Sequence, residues 1–184
     1  MGGWNAVETF DDIHILDIES MTWTRADSAC GPESWGEYRW NFTAVAAYAV
    51  PYWKVFVFGG NPGNLDSSRP QGYYRNDMQV LETSSKQVTE EEVKLEWSRP
   101  TVVGDRPCPR SDTEMFYSPT TGKLTLFGGW SNRWHGEVYS CDVRSVVGPT
   151  YNIFSISSKE CDDPIGPVTG GSQMILLGKG FSSS

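Results

Sequence analysis

The chain has 184 residues, and its 15 Lys and Arg against 23 Asp and Glu give a formal net charge of −8 at pH 7. Apolar residues make up 38% of the chain and aromatic residues 13%, a composition that can bury a core and excludes a disordered acidic tail. The acidic balance argues against nucleic acid as a partner, since a nucleic-acid groove needs clustered Lys and Arg. The longest apolar run, residues 44–53, is too short to cross a bilayer, so we expect no membrane insertion.

Three glycine pairs, which begin at positions 2, 59 and 128, are the first sign of an internal repeat. The second and third pairs directly follow the short apolar runs 54–58 and 124–127. Runs of this kind, rich in Val, Phe, Leu and Thr, are typical of β-strands that are buried on both faces. We expect the glycines to let the backbone turn at positive φ close to its neighbours.

Further segments recur in a constant order around these pairs. The segment after each pair begins and ends with an acidic residue and occupies positions 12–17, 77–82 and 137–142. The next segment carries one aromatic residue, at Trp23, Trp97 and Phe154. A strand-like segment led by Arg39 or Arg110 precedes the second and third glycine pairs. Together these patterns predict four-stranded antiparallel blades, in which the turn 117–122 joins a first strand to a second.

The series resembles the kelch repeat of β-propellers, such as the central domain of galactose oxidases. It departs from the kelch pattern at Glu82 instead of Asp, at Phe154 instead of Trp, and at Gly136-Glu137 instead of Asn-Asp. The resemblance implies an all-β fold with a partial propeller of about two and a half blades in residues 1–158. The blades are expected at 1–27 (partial), 39–98 and 110–157.

The C-terminal stretch is similar to another family. Residues 167–181 hold a proline, a Gly-Gly turn, an alternating apolar strand and a glycine-rich end, as do the opening strands of an IPT/TIG domain, an immunoglobulin-like sandwich. Residues 159–184 are therefore predicted to be a linker and the beginning of such a domain. Because a propeller closes with about four to eight blades, we expect the remaining blades to come from the same parent chain or a partner chain.

Catalytic motifs are scarce. The copper site of galactose oxidases needs imidazole and phenolate ligands, and this chain has only two histidines, His14 and His135. We expect His14, between Ile13 and Ile15, to be a packed or edge residue. Neither a nucleophile elbow nor a phosphate-binding loop occurs. We therefore expect no enzymatic activity, no cofactor and no metal, and part of a galactose-oxidase-like enzyme is the less favoured alternative.

Loops after the second and fourth strands are predicted to emerge at one end of the blades, and they are rich in Trp, Tyr and Arg, the residues that anchor protein interfaces. These loops predict a non-catalytic scaffold that binds other proteins within a large assembly. The candidate binding residues are Trp4, Asn5, Arg39, Asn64, Arg69, Arg110, Trp130, Asn132, Arg133 and Trp134. The kelch resemblance implies that Arg39 and Arg110 line the mouth of a central channel and bind acidic peptides. For Trp4 and Trp130, packing between blades is an equal alternative.

Four cysteines, Cys30, Cys108, Cys141 and Cys161, lie far apart without a zinc-type spacing. We interpret them as reduced thiols of a cytoplasmic protein, and residues 1–12 lack the features of a signal peptide. Large chains that combine kelch and TIG modules are typical of cytoskeletal, ciliary or flagellar assemblies such as the axoneme. The alternative is an extracellular receptor fragment, in which Cys30 and Cys108 would form a bridge between neighbouring blades.

Overall fold

The structure is a computed structural model that describes residues 1–26, 38–49, 52–63, 73–83, 95–148, 152–158 and 174–179. Strands dominate this part of the chain, which confirms the prediction of an all-β fold. The elements are β1 (Gly3–Trp4), β2 (Thr9–Phe10), β3 (His14–Asp17), β4 (Thr22–Arg25), β5 (Thr43–Ala49), β6 (Tyr52–Phe58), β7 (Met78–Thr83), β8 (Leu95–Ser98), β9 (Glu114–Ser118), β10 (Lys123–Phe127), β11 (Val138–Asp142), α1 (Arg144–Val147), β12 (Asn152–Ser158) and β13 (Met174–Lys179). Within the described ranges, no helix is long and apolar enough to cross a membrane.

The middle sheet contains the four strands that the sequence predicts for residues 39–98. It is an antiparallel meander with the strand order β5-β6-β7-β8. Its register places Phe56 opposite Val80 and Val55 opposite Leu81. Since side chains alternate along a strand, Phe56 and Val80 lie on one face, called here the front face, and Val55 and Leu81 lie on the other, the back face. Both faces bury apolar residues, as the continuous apolar run of β6 predicts.

Two other sheets cover these faces. The first sheet, β3-β4, contributes Ile15 to a core cluster with the back face of the middle sheet, together with Ile13 and Ala26, which directly flank its strands. The third sheet, with the order β11-β10-β9, contributes Leu124 and Leu126 to a second cluster with the front face. The three sheets therefore stack in chain order, and the middle one is enclosed between its neighbours.

Glycine pairs stand at the ends of β6 and β10, as predicted. Gly59 and Gly60 have φ values of +69° and +98°, and Gly128 and Gly129 have +66° and +113°. A Cβ atom added at Gly59 would lie only 2.5 Å from the carbonyl oxygen of Arg110 in the third sheet. The pair therefore serves both the positive φ and the close approach of neighbouring sheets.

One strand pairs differently from the prediction. Residues 152–158, expected as the fourth strand of the blade at 110–157, form β12, but the third sheet ends at β11 among the described strands. β12 instead pairs antiparallel with β13, which lies within residues 159–184. The strand is thus present and its partner is different. The structure also adds the two-residue pair β1-β2 and the one-turn helix α1, neither of which the sequence pattern indicates.

Candidate functional site

Arg39 lies just before β5, and its side chain is fully buried. Its Nη1 atom donates to the carbonyl oxygen of Gly59 at 3.0 Å. Its two Nη atoms also donate to the carboxylate of Asp77 at 3.1 and 2.8 Å. The guanidinium therefore ties the glycine pair after the second strand to the acidic residue before the third.

Arg110 repeats this arrangement before β9, and it too is fully buried. Its Nη1 atom donates to the carbonyl oxygen of Gly128 at 2.9 Å and to the Glu137 carboxylate at 3.3 Å, while Nε donates to the carbonyl oxygen of Cys108 at 3.0 Å. Each arginine acts as an internal clasp of its own repeat. This differs from the expectation that Arg39 and Arg110 line a channel mouth and bind acidic peptides, because a fully buried guanidinium offers no surface to a partner.

The acidic members of the clasps remain ionised. Burial by itself would raise the pKa of Asp77, but the hydrogen bonds and the positive charge of Arg39 outweigh it and lower that pKa. The pKa of Glu137 is also lowered, by its own backbone N–H and by Arg110. Charge therefore holds the clasps together at neutral pH.

Backbone hydrogen bonds join each clasp to the preceding sheet. The N–H of Gly3 donates to the carbonyl oxygen of Arg39 at 3.0 Å, and the N–H of Gly60 donates to the carbonyl oxygen of Arg110 at 3.0 Å. In both hydrogen bonds the donor is the second glycine of a pair, and the acceptor is the arginine that begins the next repeat. The second glycine of the first two pairs thus serves as the donor to the next repeat.

The aromatic loops meet at one end of the sheets, as predicted. Trp40, after the first clasp arginine, forms an antiparallel bridge with Asn61, after the second glycine pair. Ser111 and Trp130 form the equivalent bridge in the third sheet. The loop before a first strand and the loop after a second strand therefore share one surface.

Four indole rings and one guanidinium define this surface, which we call the tryptophan surface: Trp4, Trp40, Trp130, Arg133 and Trp134. The rings of Trp4 and Trp40 stack at a centroid distance of 5.0 Å, and Trp130 meets Trp134 edge to face at 4.9 Å. Trp4 keeps 51% of its surface exposed and Trp134 keeps 75%. Trp4 contacts Trp40 of the next repeat, whereas Trp130 contacts Trp134 of its own loop, and both rings are only partly covered. A role of Trp4 and Trp130 in binding stays a prediction.

The loop that carries Trp134 is braced by its own hydrogen bonds. Ser131 N–H donates to the carbonyl oxygen of Arg133, and His135 N–H donates to that of Gly129. The buried imidazole of His135 lies 2.7 Å from Ser131 Oγ. Asn132 adopts φ +62° at the tip of the turn. The loop therefore holds Arg133 and Trp134 outward with little freedom to lose on binding.

The remaining predicted binding residues fall into two groups. Asn5 is exposed, and its Oδ1 accepts hydrogen bonds from the N–H groups of Val7 and Glu8, so it shapes the β1–β2 turn. Asn64 and Arg69 lie outside the described residues. Trp40 is not among the residues that the sequence predicts for this surface. Its position directly after a repeat arginine was the available signal.

No metal centre is formed by the described residues, in which no three His, Cys, Asp or Glu side chains are placed to hold an ion. Cys108 and Cys141 are free thiols, and Cys30 and Cys161 fall in the undescribed ranges. His14 is an exposed residue of β3, 2.9 Å from the Asp12 carboxylate.

Comparison with known proteins finds similarity to a flagellar protein. The chain is 30% identical over 182 residues to the dynein alpha chain of the flagellar outer arm of Chlamydomonas reinhardtii. The chain is similar to one segment of a flagellar dynein. The match covers 98% of this chain but only 4% of the dynein chain, so the activity of that whole protein is not carried over. No protein-family model matches the chain.

Two plant proteins share part of the sequence. Acyl-CoA-binding domain-containing proteins 5 and 4 of Arabidopsis thaliana are 30% and 29% identical over 111 and 112 residues. Each match covers 60% of this chain, and 14% or 13% of the plant protein. The chain therefore spans a small fraction of every relative named here.

Proposed function

We propose that the chain is a segment of a kelch-type β-propeller that acts as a non-catalytic protein–protein scaffold in a ciliary or flagellar assembly. The observation that carries this proposal is the tryptophan surface, where exposed indoles are presented by braced loops of a repeated clasp. The similarity to a flagellar outer-arm dynein chain supports the location.

The chemistry of the described polar groups favours binding over catalysis. The buried arginines are paired with carboxylates and carbonyl oxygens within their own repeats, and His135 is held by Ser131 and lies 3.5 Å from Glu137. Such groups stabilise loops and are not aimed at a substrate. What the surface offers to a partner is apolar ring area and the cation of Arg133.

The exposed rings and the cation of Arg133 together suggest which chemical groups the partner presents. Trp and Arg are enriched among residues that dominate binding energy, and they act best when a partner excludes water from them. We propose a protein partner that covers Trp134 with an apolar side chain and places a carboxylate near Arg133. We further propose a cytoplasmic location and a TIG-type domain that begins within residues 159–184.

Co-sedimentation with isolated axonemes tests the proposal. The purified chain, titrated against axonemes from which the outer arms have been extracted, should bind, and Trp134→Ala should weaken the binding at least about tenfold because a central indole is lost. Arg133→Ala should weaken it less. Trp53→Ala is the control, since Trp53 is likewise an exposed indole, at 51%, but lies on β6 next to the β5–β6 hairpin, at the opposite end.

Two results would contradict the proposal. The first is a chain that stays in the supernatant at every axoneme concentration. The second is an equal loss of binding in Trp134→Ala and Trp53→Ala, because a general effect of removing exposed indoles would not identify a binding surface.

A further inference from the structure

We propose that Cys108 is a reversible oxidation site, at which hydrogen peroxide converts a thiolate held by Arg110 and His135 to a sulfenic acid. These residues meet where the loop before β9 contacts the loop after β10. With Glu137 they form a cluster of a nucleophilic sulfur, a guanidinium, an imidazole and a carboxylate. The inference goes beyond the scaffold proposal and does not depend on it.

The sulfur of Cys108 has buried polar neighbours although the residue itself is exposed. Arg110 Nη2 donates to Sγ at 3.0 Å, and Nε of the same guanidinium donates to the carbonyl oxygen of Cys108 at 3.0 Å. The ring nitrogens of His135 lie 3.7 and 3.9 Å from Sγ. The side chains of Arg110 and His135 are 0% and 1% exposed. The cysteine is therefore held at two points by a buried cation and remains open to a small molecule.

The clasp of the preceding repeat shows which kind of acceptor this place holds. In that clasp Arg39 Nη2 donates to a carboxylate oxygen of Asp77 at 2.8 Å. In the later clasp Nη2 of Arg110 donates to the sulfur of Cys108 instead, and the Glu137 carboxylate receives the 3.3 Å bond from Nη1. The sulfur thus takes the place of an anionic oxygen beside a buried guanidinium. A place of this kind suits a thiolate, and reactive cysteines are typically exposed and close to positive groups.

His135 is placed to carry the proton of the reaction. Its Nε2 lies 2.7 Å from Ser131 Oγ, and its Nδ1 lies 3.5 Å from the Glu137 carboxylate, so a protonated ring is paired with a negative charge. The imidazole takes the proton of the Cys108 thiol, as a general base does. The thiolate then attacks one oxygen of hydrogen peroxide and breaks the O–O bond, and a new S–O bond forms.

The electrons and protons of this step balance. The sulfur of Cys108 loses two electrons, and the leaving oxygen of the peroxide gains them, takes the proton from His135 and departs as water. The product is a sulfenic acid, the first and reversible stage of cysteine oxidation. Two molecules of a small thiol such as glutathione restore the cysteine, and they yield water and one glutathione disulfide. The site can therefore be oxidised and reset.

Cys141 provides a contrast within the same sheet. It lies on β11 and is partly buried. Burial, together with the negative charge of Asp142, raises the pKa of the Cys141 thiol. The two described thiols thus have opposite surroundings, one exposed beside a cation and the other partly buried beside an anion. Since the thiolate is the reactive form, Cys108 should react with peroxide and Cys141 should be nearly inert at neutral pH.

Hydrogen peroxide treatment of the complete native protein, with dimedone to trap sulfenic acid and mass spectrometry of the peptides, tests the inference. The rates at Cys108 and Cys141 are measured at pH 7 in the folded protein and in the protein unfolded by urea. Cys108 should react at least about fivefold faster when folded, because the cluster exists only in the fold. Cys141 should react more slowly when folded. A Cys108 that gains no rate on folding would overturn the inference, since exposure alone can only equal the unfolded rate.

Substitutions then assign the rate to its neighbours. Arg110→Gln and His135→Gln should each bring the oxidation rate of Cys108 down to about its unfolded value, whereas Trp53→Ala, at the opposite end of the sheets, should leave it unchanged. A full rate in both folded glutamine variants would overturn the inference. The comparison of folded with unfolded protein needs no substitution, so it decides the matter even where Arg110→Gln does not fold. Axoneme binding is a separate measurement, so the scaffold proposal can fail while the oxidation site stands, and the reverse.

Discussion

A buried arginine is costly unless all its hydrogen bonds find partners, and this chain uses two in equivalent places. Arg39 is paired with Asp77 in a two-point contact, whereas Arg110 shares its bonds among Gly128, Glu137 and Cys108. The clasp at Arg39 is therefore the more charge-dependent of the two.

The substitution Asp77→Asn should destabilise the chain at pH 7 by about 3 kcal/mol, since it leaves the buried Arg39 without its counter-charge. The folded-state pKa of Asp77 is lowered, so its contribution is complete above the unfolded value of about 3.9 and is lost as the pH falls through the lower folded value. The difference between wild type and variant should therefore shrink below about pH 4. Urea unfolding at pH 7 and in steps below pH 4 measures the difference in unfolding free energy between wild type and variant. A difference that stays constant in acid would contradict a stabilising ion pair between Arg39 and Asp77.

Glycine substitutions separate backbone strain from close contact. Gly59→Ala should cost more than about 2 kcal/mol, because it combines φ +69° with a Cβ 2.5 Å from a backbone oxygen. Gly104→Ala has φ +88° and open space, so about 1 kcal/mol is expected. Gly136→Ala meets neither obstacle and should be neutral within about 0.5 kcal/mol. Thermal unfolding measures the loss of stability in each variant. Equal losses in Gly59→Ala and Gly104→Ala would show that the contact between the sheets at Gly59 does not contribute.

The sequence predicted the positive φ of the glycine pairs but not the burial of Arg39 and Arg110. Positive φ follows from local stereochemistry, which a Gly-Gly pair after an apolar strand reveals. The burial of Arg39 depends on Asp77, which is distant in sequence, and a charged residue at a loop end is normally interpreted as exposed. The recurrence of an arginine before the first strand and an acid before the third was the signal that could have paired them.

At the level of strands, hydrophobic pattern predicted most of what forms. β5 to β8 follow the expected order, because a doubly buried strand needs a continuous apolar run and glycine-bounded ends. The partner of β12 could not be read in this way. A seven-residue strand with mixed polar and apolar residues suits more than one neighbour, and pairing is decided by tertiary contacts.

Adjacent residues of β10 provide an element-scale prediction. Leu126→Ala should cost about 2 to 5 kcal/mol in the 184-residue chain, since Leu126 is in the core between the sheets. Phe127→Ala should cost less than about 1 kcal/mol there, because its ring is half in water. In the complete protein the cost of Phe127→Ala should rise to about 3 kcal/mol. Denaturant unfolding of both forms measures the change, and an unchanged cost would argue that nothing covers Phe127 in the complete protein.

The whole molecule combines a stack of sheets, a repeated charged clasp and one aromatic end. The loops that carry the tryptophan surface are held by backbone bridges of Trp40 and Ser111, the residues that directly follow the two clasp arginines. Function at the surface therefore depends on the stack, so variants that loosen a clasp should also weaken axoneme binding. Asp77→Asn is expected to do so at temperatures near its unfolding midpoint, and Trp134→Ala at every temperature.

The arrangement of the sheets in the complete native protein tests the central claim most directly. A cryo-electron microscopy map should show residues 1–148 as consecutive blades of a closed ring of about four to eight sheets, with β5 and β9 next to its axis and the tryptophan surface on one rim. A map in which these three sheets form an isolated stack, with Trp23 and Phe127 facing solvent, would contradict it.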